Sequence, residues 1–264
     1  MIPEKPLEPH PALLDYYPDL AQRPAFVRGL FDRTARYYDY VNRLLSFGSG
    51  SRYRRRALLR AGLRPGMRVL DVAIGTGLVA RQALALVGDR QAVTGLDISA
   101  GMLLEARRHL NLPLIQGLME QLPVADACYD VVSMGYALRH VTDLNTTFRE
   151  FHRVLRPGGV LLILEIARPV QPWRRTLLKF YLGRLIPLLG RLTTGQRDLQ
   201  TLMRYYWDTI ERCVSPETII QAIRDAGFDE AGCDVEFDLF RAYFGRKGDQ
   251  VEVDYRDSTG SSVI

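Results

Sequence analysis

Arg68-Val-Leu-Asp-Val-Ala-Ile-Gly-Thr-Gly-Leu-Val-Ala80 decides how this chain folds. Residues 69–72 form a short apolar run with Pro65 and Gly66 upstream, which predicts a buried strand and is too brief for a helix. Gly75 and Gly77 then allow a tight turn whose backbone approaches a ligand closely. Residues 78–87 predict a helix, whose first N–H groups would face whatever the turn binds. A second apolar run (Ala92, Val93, Gly95, Leu96) predicts the next strand and ends in Asp97, roughly 20 residues beyond the glycines, where a carboxylate can accept both hydroxyls of a ribose. Gly75, Thr76 and Gly77 on one side, with Asp97 and Ile98 on the other, therefore read as a nucleoside-cofactor site.

Alone, Gly75-x-Gly77-x-x-Ala80 also fits a dinucleotide fingerprint, or a corner that uses glycine for geometry only. Asp71 separates these readings. Its carboxylate beside the loop would repel a pyrophosphate and suits the cationic methionine end of S-adenosylmethionine. A single strand–helix set follows the loop, without a second dinucleotide half. S-adenosylmethionine is the expected cofactor.

The bulk numbers agree with an enzyme of the cell interior. The chain has 264 residues, 47% hydrophobic and 25% charged, with a net charge of +5, the balance of a folded globular domain with a sizeable core. Cys128, Cys213 and Cys233 are scattered without metal or disulfide spacing, so no metal site is expected and the reading is cytoplasmic. No signal peptide or long apolar run is apparent. Charge is distributed unevenly: between Glu165 and Asp198 the sequence holds Arg168, Arg174, Arg175, Lys179, Arg184, Arg191 and Arg197 but no acid.

Six prolines up to Pro24 predict an extended arm over residues 1–25 rather than a helix. The domain proper is expected over 26–248, with an insertion at about 169–212 and a polar tail at 249–264. Helices are expected over 26–45 and 52–60, separated by a break at 46–51. After Asp97 come a helix capped by Ser99, a strand at 114–115, a strand at 129–134 and a helix capped by Thr142 or Asp143. Arg156-Pro-Gly-Gly159 reads as a turn into a strand at 160–166. Ser215 to Ala226 is a further helix, and 229–236 with 239–246 a closing hairpin. Repeated strand–helix units of this kind make an α/β fold with a mostly parallel sheet and ligands at the carboxyl ends of its strands.

These motifs resemble those of the quinone-biosynthesis C-methyltransferases typified by UbiE. Asp71-Val-Ala-Ile-Gly-Thr-Gly77 is similar to the family's cofactor loop, and Phe31-Asp-Arg-Thr-Ala-Arg-Tyr-Tyr-Asp-Tyr-Val-Asn42 with Ser46-Phe-Gly48 to its N-terminal signature. Ala137-Leu-Arg-His-Val-Thr-Asp143 resembles its Leu-Arg-Asn-Val-Thr-Asp segment, and His152-Arg-Val-Leu-Arg-Pro-Gly-Gly159 the approach to its fifth strand. The likeness covers roughly residues 26 to 246. It implies a class I, Rossmann-like methyltransferase with an N-terminal helical cap and a helical insertion. The implied reaction is C-methylation of a quinol or related phenolic ring. O- or N-methylation of another aromatic small molecule, and a non-catalytic accessory role, stay open as alternatives.

The departures fall at the site. Ile74 stands where the family has Gly, Gly135 where it has Ser, Gly50 where it has His, and His140 where it has Asn. Leu118-Met119 replaces the Asp/Asn-Ala pair that meets adenine. Leu118 cannot hydrogen-bond the exocyclic amine, so the expected grip is apolar contact plus the Met119 backbone N–H.

Methyl transfer to a ring carbon needs alignment, stabilisation of a developing oxyanion and a route for a hydroxyl proton. Arg139 is the expected oxyanion partner, Tyr38 an orienting or relaying hydroxyl, and His140 a proton relay. Trp173 to Leu192 is apolar and basic, interrupted by Gly183, Pro187 and Gly190. Its apolar positions spread round a helical wheel, so it is expected to be buried on several sides, as a lid or as a greasy entrance at the inner face of an anionic membrane. Its arginines keep company with Leu and Ile rather than exposed aromatics, so nucleic acid is not an expected partner.

Overall fold

The computed structural model describes residues 5–46, 50–185 and 197–249. Parts of the expected break at 46–51, of the apolar insert, and of the tail fall on 47–49, 186–196 and 250–264, outside the described residues. Seven strands form one sheet: β1 (Val69–Val72), β2 (Val93–Asp97), β3 (Leu114–Gln116), β4 (Tyr129–Gly135), β5 (Leu155–Ile166), β6 (Gly232–Glu236) and β7 (Phe240–Arg246). Their spatial order is β3-β2-β1-β4-β5-β7-β6. Strands β1 to β5 run parallel, while β7 is antiparallel to β5 and to β6. The order reverses at β1, so a crevice opens between the loops that follow β1 and β4.

Every residue of β1 and β2 is buried, as expected of central strands with helices on both faces. On one face, α2 (Gly50–Arg60) and α3 (Leu78–Val87) bring Leu58, Val79 and Ala83 against Val69, Val93 and Val131. On the other, α5 (Leu144–Val154) and α8 (Pro216–Asp225) bring Phe148, Phe151, Ile219 and Ile223 against Leu70, Val132 and Ile163. The expected caps are in place. Ser99 accepts from Met102 N–H at the start of α4 (Ala100–His109), Asp143 from Asn145 and Thr146 N–H, and Ser215 from Thr218 N–H.

A third core lies apart from the sheet. Leu13 and Tyr17 of the N-terminal segment, Val27 and Leu30 of α1 (Arg23–Ser46), and Leu199, Leu202, Met203 and Tyr205 of α7 (Arg197–Arg212) bury one another. Helix α1 thus begins at Arg23, ahead of the expected residue 26, with Pro24 in its first turn, where a missing N–H costs nothing. The segment before it is extended for much of its length and stitched to the domain. Leu7 N–H donates to Asp143, Leu144 N–H to the Leu7 carbonyl, and Val214 N–H to the Pro9 carbonyl.

Two further elements differ from the sequence reading. Arg156-Pro-Gly-Gly159 is not a free turn, because β5 already starts at Leu155, which pairs with Tyr129 before the register shifts to Val131↔Val160. Gly158, at φ +73°, supplies the left-handed residue of that irregularity. In the insertion, α6 (Pro172–Phe180) runs into one π turn at Tyr181–Leu185. Rather than being buried on several sides, it leaves Trp173, Leu177 and Phe180 exposed by 61%, 59% and 52%. These positions, four and three apart, share one side of the helix, while Leu178 and Leu182 turn inward towards Trp207 and Ile210.

Candidate functional site

The turn after β1 is built around glycine. Gly75 and Gly77 have φ of +57° and +87°, and a Cβ on Gly77 would lie 2.3 Å from Leu110 Cδ1. Ile74, where a glycine was expected by resemblance, is accommodated by another glycine: its Cδ1 occupies the place where Gly95 would carry a Cβ, at 2.2 Å. Gly135 closes the opposite wall, where a Cβ would meet Val79 at 2.7 Å.

Asp97 sits at the tip of β2. One carboxylate oxygen accepts from Gly75 N–H (2.9 Å) and the other from Ser99 N–H (2.8 Å). Each oxygen keeps a lone-pair site for a ligand hydroxyl. Burial pushes the Asp97 pKa up to about 6 against these hydrogen bonds, the signature of a carboxylate held in a dry cleft. Asp71 is placed differently. It is buried in mid-strand, with its oxygens accepting from Ala80 N–H (2.9 Å) and the Ser133 hydroxyl (2.7 Å), so it braces the turn and the first turn of α3. Burial raises its pKa to about 7.

Helix α1 roofs the carboxyl ends of β1, β2 and β4, and two of its acids fasten it there. Asp32 accepts from the Ser99 hydroxyl (2.6 Å) and Gly101 N–H (2.9 Å). Asp39 accepts from the Thr76 hydroxyl, so Thr76 locks roof to turn. Neither acid was singled out from the sequence, although both lie in the quoted signature. Their spacing of seven, which puts them on one helical face, was the available signal.

Beneath this roof lies a cleft of two joined chambers. One lies between Phe31, Tyr38, Gly75, Asp97, Ile98, Met119, Gly135 and His140. The other adds Asp71, Thr76 and Arg54 and shares Tyr38, Ala73, Gly75, Gly135 and Tyr136 with the first. Of the expected cofactor residues, Gly77 does not line these walls and Leu118 stands outside them. Its side chain is 45% exposed, and a bridge to Gln121 holds its backbone, whereas Met119 faces inward.

The expected catalytic residues divide. Tyr38 lines both chambers, and its hydroxyl lies 2.5 Å from that of Tyr206. Burial raises both phenol pKa values. His140 lines the first chamber with its ring stacked on Tyr205 and edge-on to Phe31 and Tyr206. Neither ring nitrogen has a hydrogen-bond partner among the described residues. Burial, reinforced by Arg139, Arg23 and His10, holds His140 neutral, with a pKa well below the usual imidazole value.

Arg139 lies behind the wall. Completely buried, it donates to Glu165 (3.0 Å), the Thr209 hydroxyl (2.8 Å) and the Tyr206 carbonyl (3.3 Å). Its guanidinium lies 5.0 Å from the Tyr206 ring centroid. A guanidinium in a low-dielectric interior requires a buried carboxylate, and Glu165 on β5 draws it away from the cleft. Its reach into the site runs through Tyr206 to Tyr38.

A sugar-sized acceptor at Asp97, apolar flanks at Ile98 and Met119, and glycine-bared backbone fit an adenosyl group. Comparison with known proteins gives the same direction. The ubiE/COQ5 methyltransferase family pattern matches residues 20–237. The ubiquinone/menaquinone biosynthesis C-methyltransferase UbiE of Shewanella sp. (strain W3-18-1) is 34% identical over 216 residues, which are 79% of this chain and 85% of that protein. Among solved structures, a putative S-adenosyl-L-methionine-dependent methyltransferase from Methanococcus maripaludis superposes with a TM-score of 0.58 at 16% identity, covering 84% of this chain and 95% of its own. A phosphoethanolamine N-methyltransferase from Haemonchus contortus, in complex with S-adenosyl-L-methionine, gives 0.54 at 16% identity, covering 75% and 52%. At such identities the structures share the fold.

Proposed function

Since the chain belongs to the ubiE/COQ5 methyltransferase family, we propose that it transfers a methyl group from S-adenosylmethionine to a ring carbon of a quinol in quinone biosynthesis. The observation that carries this reading is the placement of Asp97, the Gly75 turn, Tyr38 and His140 around one roofed chamber. When bound, S-adenosylmethionine supplies an electrophilic methyl carbon on a sulfonium. Asp97 would hold its ribose hydroxyls, with Ile98 and Met119 against the adenine and Gly75, Thr76, Gly77 and Gly135 shaping the space for the remainder. Asp71 supports that space through Ala80 and Ser133.

The acceptor ring requires a hydroxyl that gives up its proton as the new C–C bond forms. Neutral His140, with an unengaged nitrogen, accepts a hydrogen bond from that hydroxyl and draws off its proton. With Tyr206 as donor in the phenol pair, the Tyr38 proton is free to be shared with the ring oxygen as negative charge develops. Arg139, beneath Tyr206, fixes this pair without touching substrate.

The finer placement is at a membrane. The exposed Val170, Trp173, Leu177 and Phe180, next to Arg168, Arg174 and Lys179 in a stretch without acids, suit an anionic lipid surface that would deliver a tailed quinol. Among the described residues no helix is long and apolar enough to cross a bilayer.

Incubation with labelled S-adenosylmethionine and a panel of demethylated quinols, read by mass and by the position of the label, tests the proposal. A C-methylated quinol is expected; a product labelled only at O or N shifts the assignment to another aromatic substrate. Flotation with anionic vesicles tests the surface. Salt-sensitive binding is expected, and the same binding to neutral vesicles would remove the electrostatic part.

A further inference from the structure

On the far side of Tyr136 from the cofactor cleft lies a second hollow. It runs between α2 and the β6–β7 hairpin, has a volume of about 580 Å³, and has Tyr53, Tyr136, Phe237 and Phe240 as its aromatic walls. Tyr136 lines this groove and both chambers of the cleft. Its backbone is left-handed at φ +63°, a conformation a bulky residue adopts only where its surroundings enforce it. They do so here. Tyr136 N–H donates to the Leu164 carbonyl at 2.7 Å, and the Arg54 guanidinium lies 5.2 Å from the ring centroid.

The walls are fastened to each other. Arg56 and Arg60 of α2 both pair with Glu236 at the end of β6, at 3.2 and 2.7 Å, and the Tyr53 and Phe240 rings are 5.2 Å apart. At the inner end, Tyr53 is only 7% exposed, yet its hydroxyl has no partner among the described residues. At the outer end, Phe237 is 79% exposed. Arg174 of α6 reaches the Phe237 carbonyl at 3.5 Å, and Val170 N–H donates to Asp238 at 3.2 Å. The hairpin tip that bounds the groove therefore meets the start of the insertion at Val170 and Arg174.

We infer that this groove holds the apolar tail of the ring substrate, an isoprenoid chain that leaves the ring at Tyr136 and emerges at Phe237. The inference rests on the methyl acceptor being a tailed quinol. Size supports it: ligand cavities enclose about 300–1,000 Å³, and the groove, at about 580 Å³, falls in that range, so a long tail has space of its own beside the cleft. Chemistry supports it too. The aromatic walls offer an alkenyl chain contact along its length.

Two measurements on the full chain test this. First, a farnesylated quinol bearing a diazirine on its tail is photolysed with the wild-type protein, and the adduct is mapped by mass. Label within residues 50–60 or 236–240 is expected. Second, kcat/KM is compared for a farnesylated and a tail-less quinol in the wild type and in Phe237→Asp. This substitution suits a left-handed residue better than Phe does (φ +57°). The tailed-to-tail-less ratio is expected to fall about tenfold, the effect of losing one aromatic contact. Label confined to 172–180, or an unchanged ratio, overturns the groove and leaves the methyl-transfer reading standing. Failure of the wild type to methylate either quinol overturns that reading, and the groove with it.

Discussion

The floor and the roof of the cleft are held by different means. The floor is local: β1, its glycine turn, β2 and Asp97 lie within thirty residues, and backbone N–H groups of Gly75, Ser99 and Ala80 meet two buried carboxylates. The roof is assembled from distant segments. The N-terminal segment, α1, the loop after β4 and α7 meet around the buried Arg139–Glu165 pair, where Arg23 donates to the Arg139 carbonyl (2.9 Å) and shares a hydrogen bond with His10 (3.0 Å). A turn that many chains use to hold one cofactor can be specified by a short motif. A chamber shaped for one substrate class has to be drawn from the whole chain.

If that division is right, the largest effect belongs to the roof. Arg139→Ala leaves Glu165 buried without its cation, and uncovering one partner of such a pair costs about 3–5 kcal/mol. Chemical denaturation should show a loss of that size. Cofactor affinity, measured on the folded fraction, should change far less. An affinity loss matching the stability loss would mean that roof and floor are one unit, and the comparison would fail.

The floor should respond in the opposite way. Asp97→Ala removes two charge-assisted acceptors for the ribose and should weaken S-adenosylmethionine binding about a hundredfold by isothermal titration. The same carboxylate sets a pH dependence. Its folded pKa of about 6 lies above the ordinary aspartate value, so the stability it contributes to the free protein is full at low pH and is lost as pH rises through 6. Cofactor binding, which uses the ionised form, runs the other way and should weaken about tenfold per unit as pH falls below 6. Affinity independent of pH between 5 and 7 would show that the ribose is held elsewhere.

The same contrast explains how much could be read from the sequence. Helix α3 at Leu78–Val87, the caps at Ser99, Asp143 and Ser215, and the antiparallel hairpin follow from short-range rules of spacing, capping and alternation. The place of Asp97 beside the glycine turn was legible by its distance from the glycines. Arg139 was misplaced because its partner Glu165 and the Thr209 it donates to lie on elements whose approach no local pattern encodes. Leu118 was drawn into the site by alignment with a polar family residue, yet a backbone bridge to Gln121 holds its loop and leaves its side chain exposed. On α6, counting apolar positions round the wheel hid the stripe of Trp173, Leu177 and Phe180, since which side meets solvent depends on where Trp207 and Ile210 sit.

The smallest expected effect lies where roof and floor meet, at His140. Its neutrality comes from burial and from the cationic roof, while its ring forms part of the wall of the chamber over the cofactor. His140→Asn installs the residue found in the resembling family, which can still hydrogen-bond a ring hydroxyl but cannot take its proton. Turnover should fall about tenfold, less than the ~10²–10⁴-fold a positioned general base supplies because water can substitute in part, with S-adenosylmethionine affinity nearly unchanged. The wild-type rate should also show a pH dependence on the acid side that the variant lacks, since protonating the imidazole removes the acceptor. A variant with full turnover and an unaltered pH profile would assign the proton to Tyr38 and Tyr206 instead, and with it the chemistry to the roof alone.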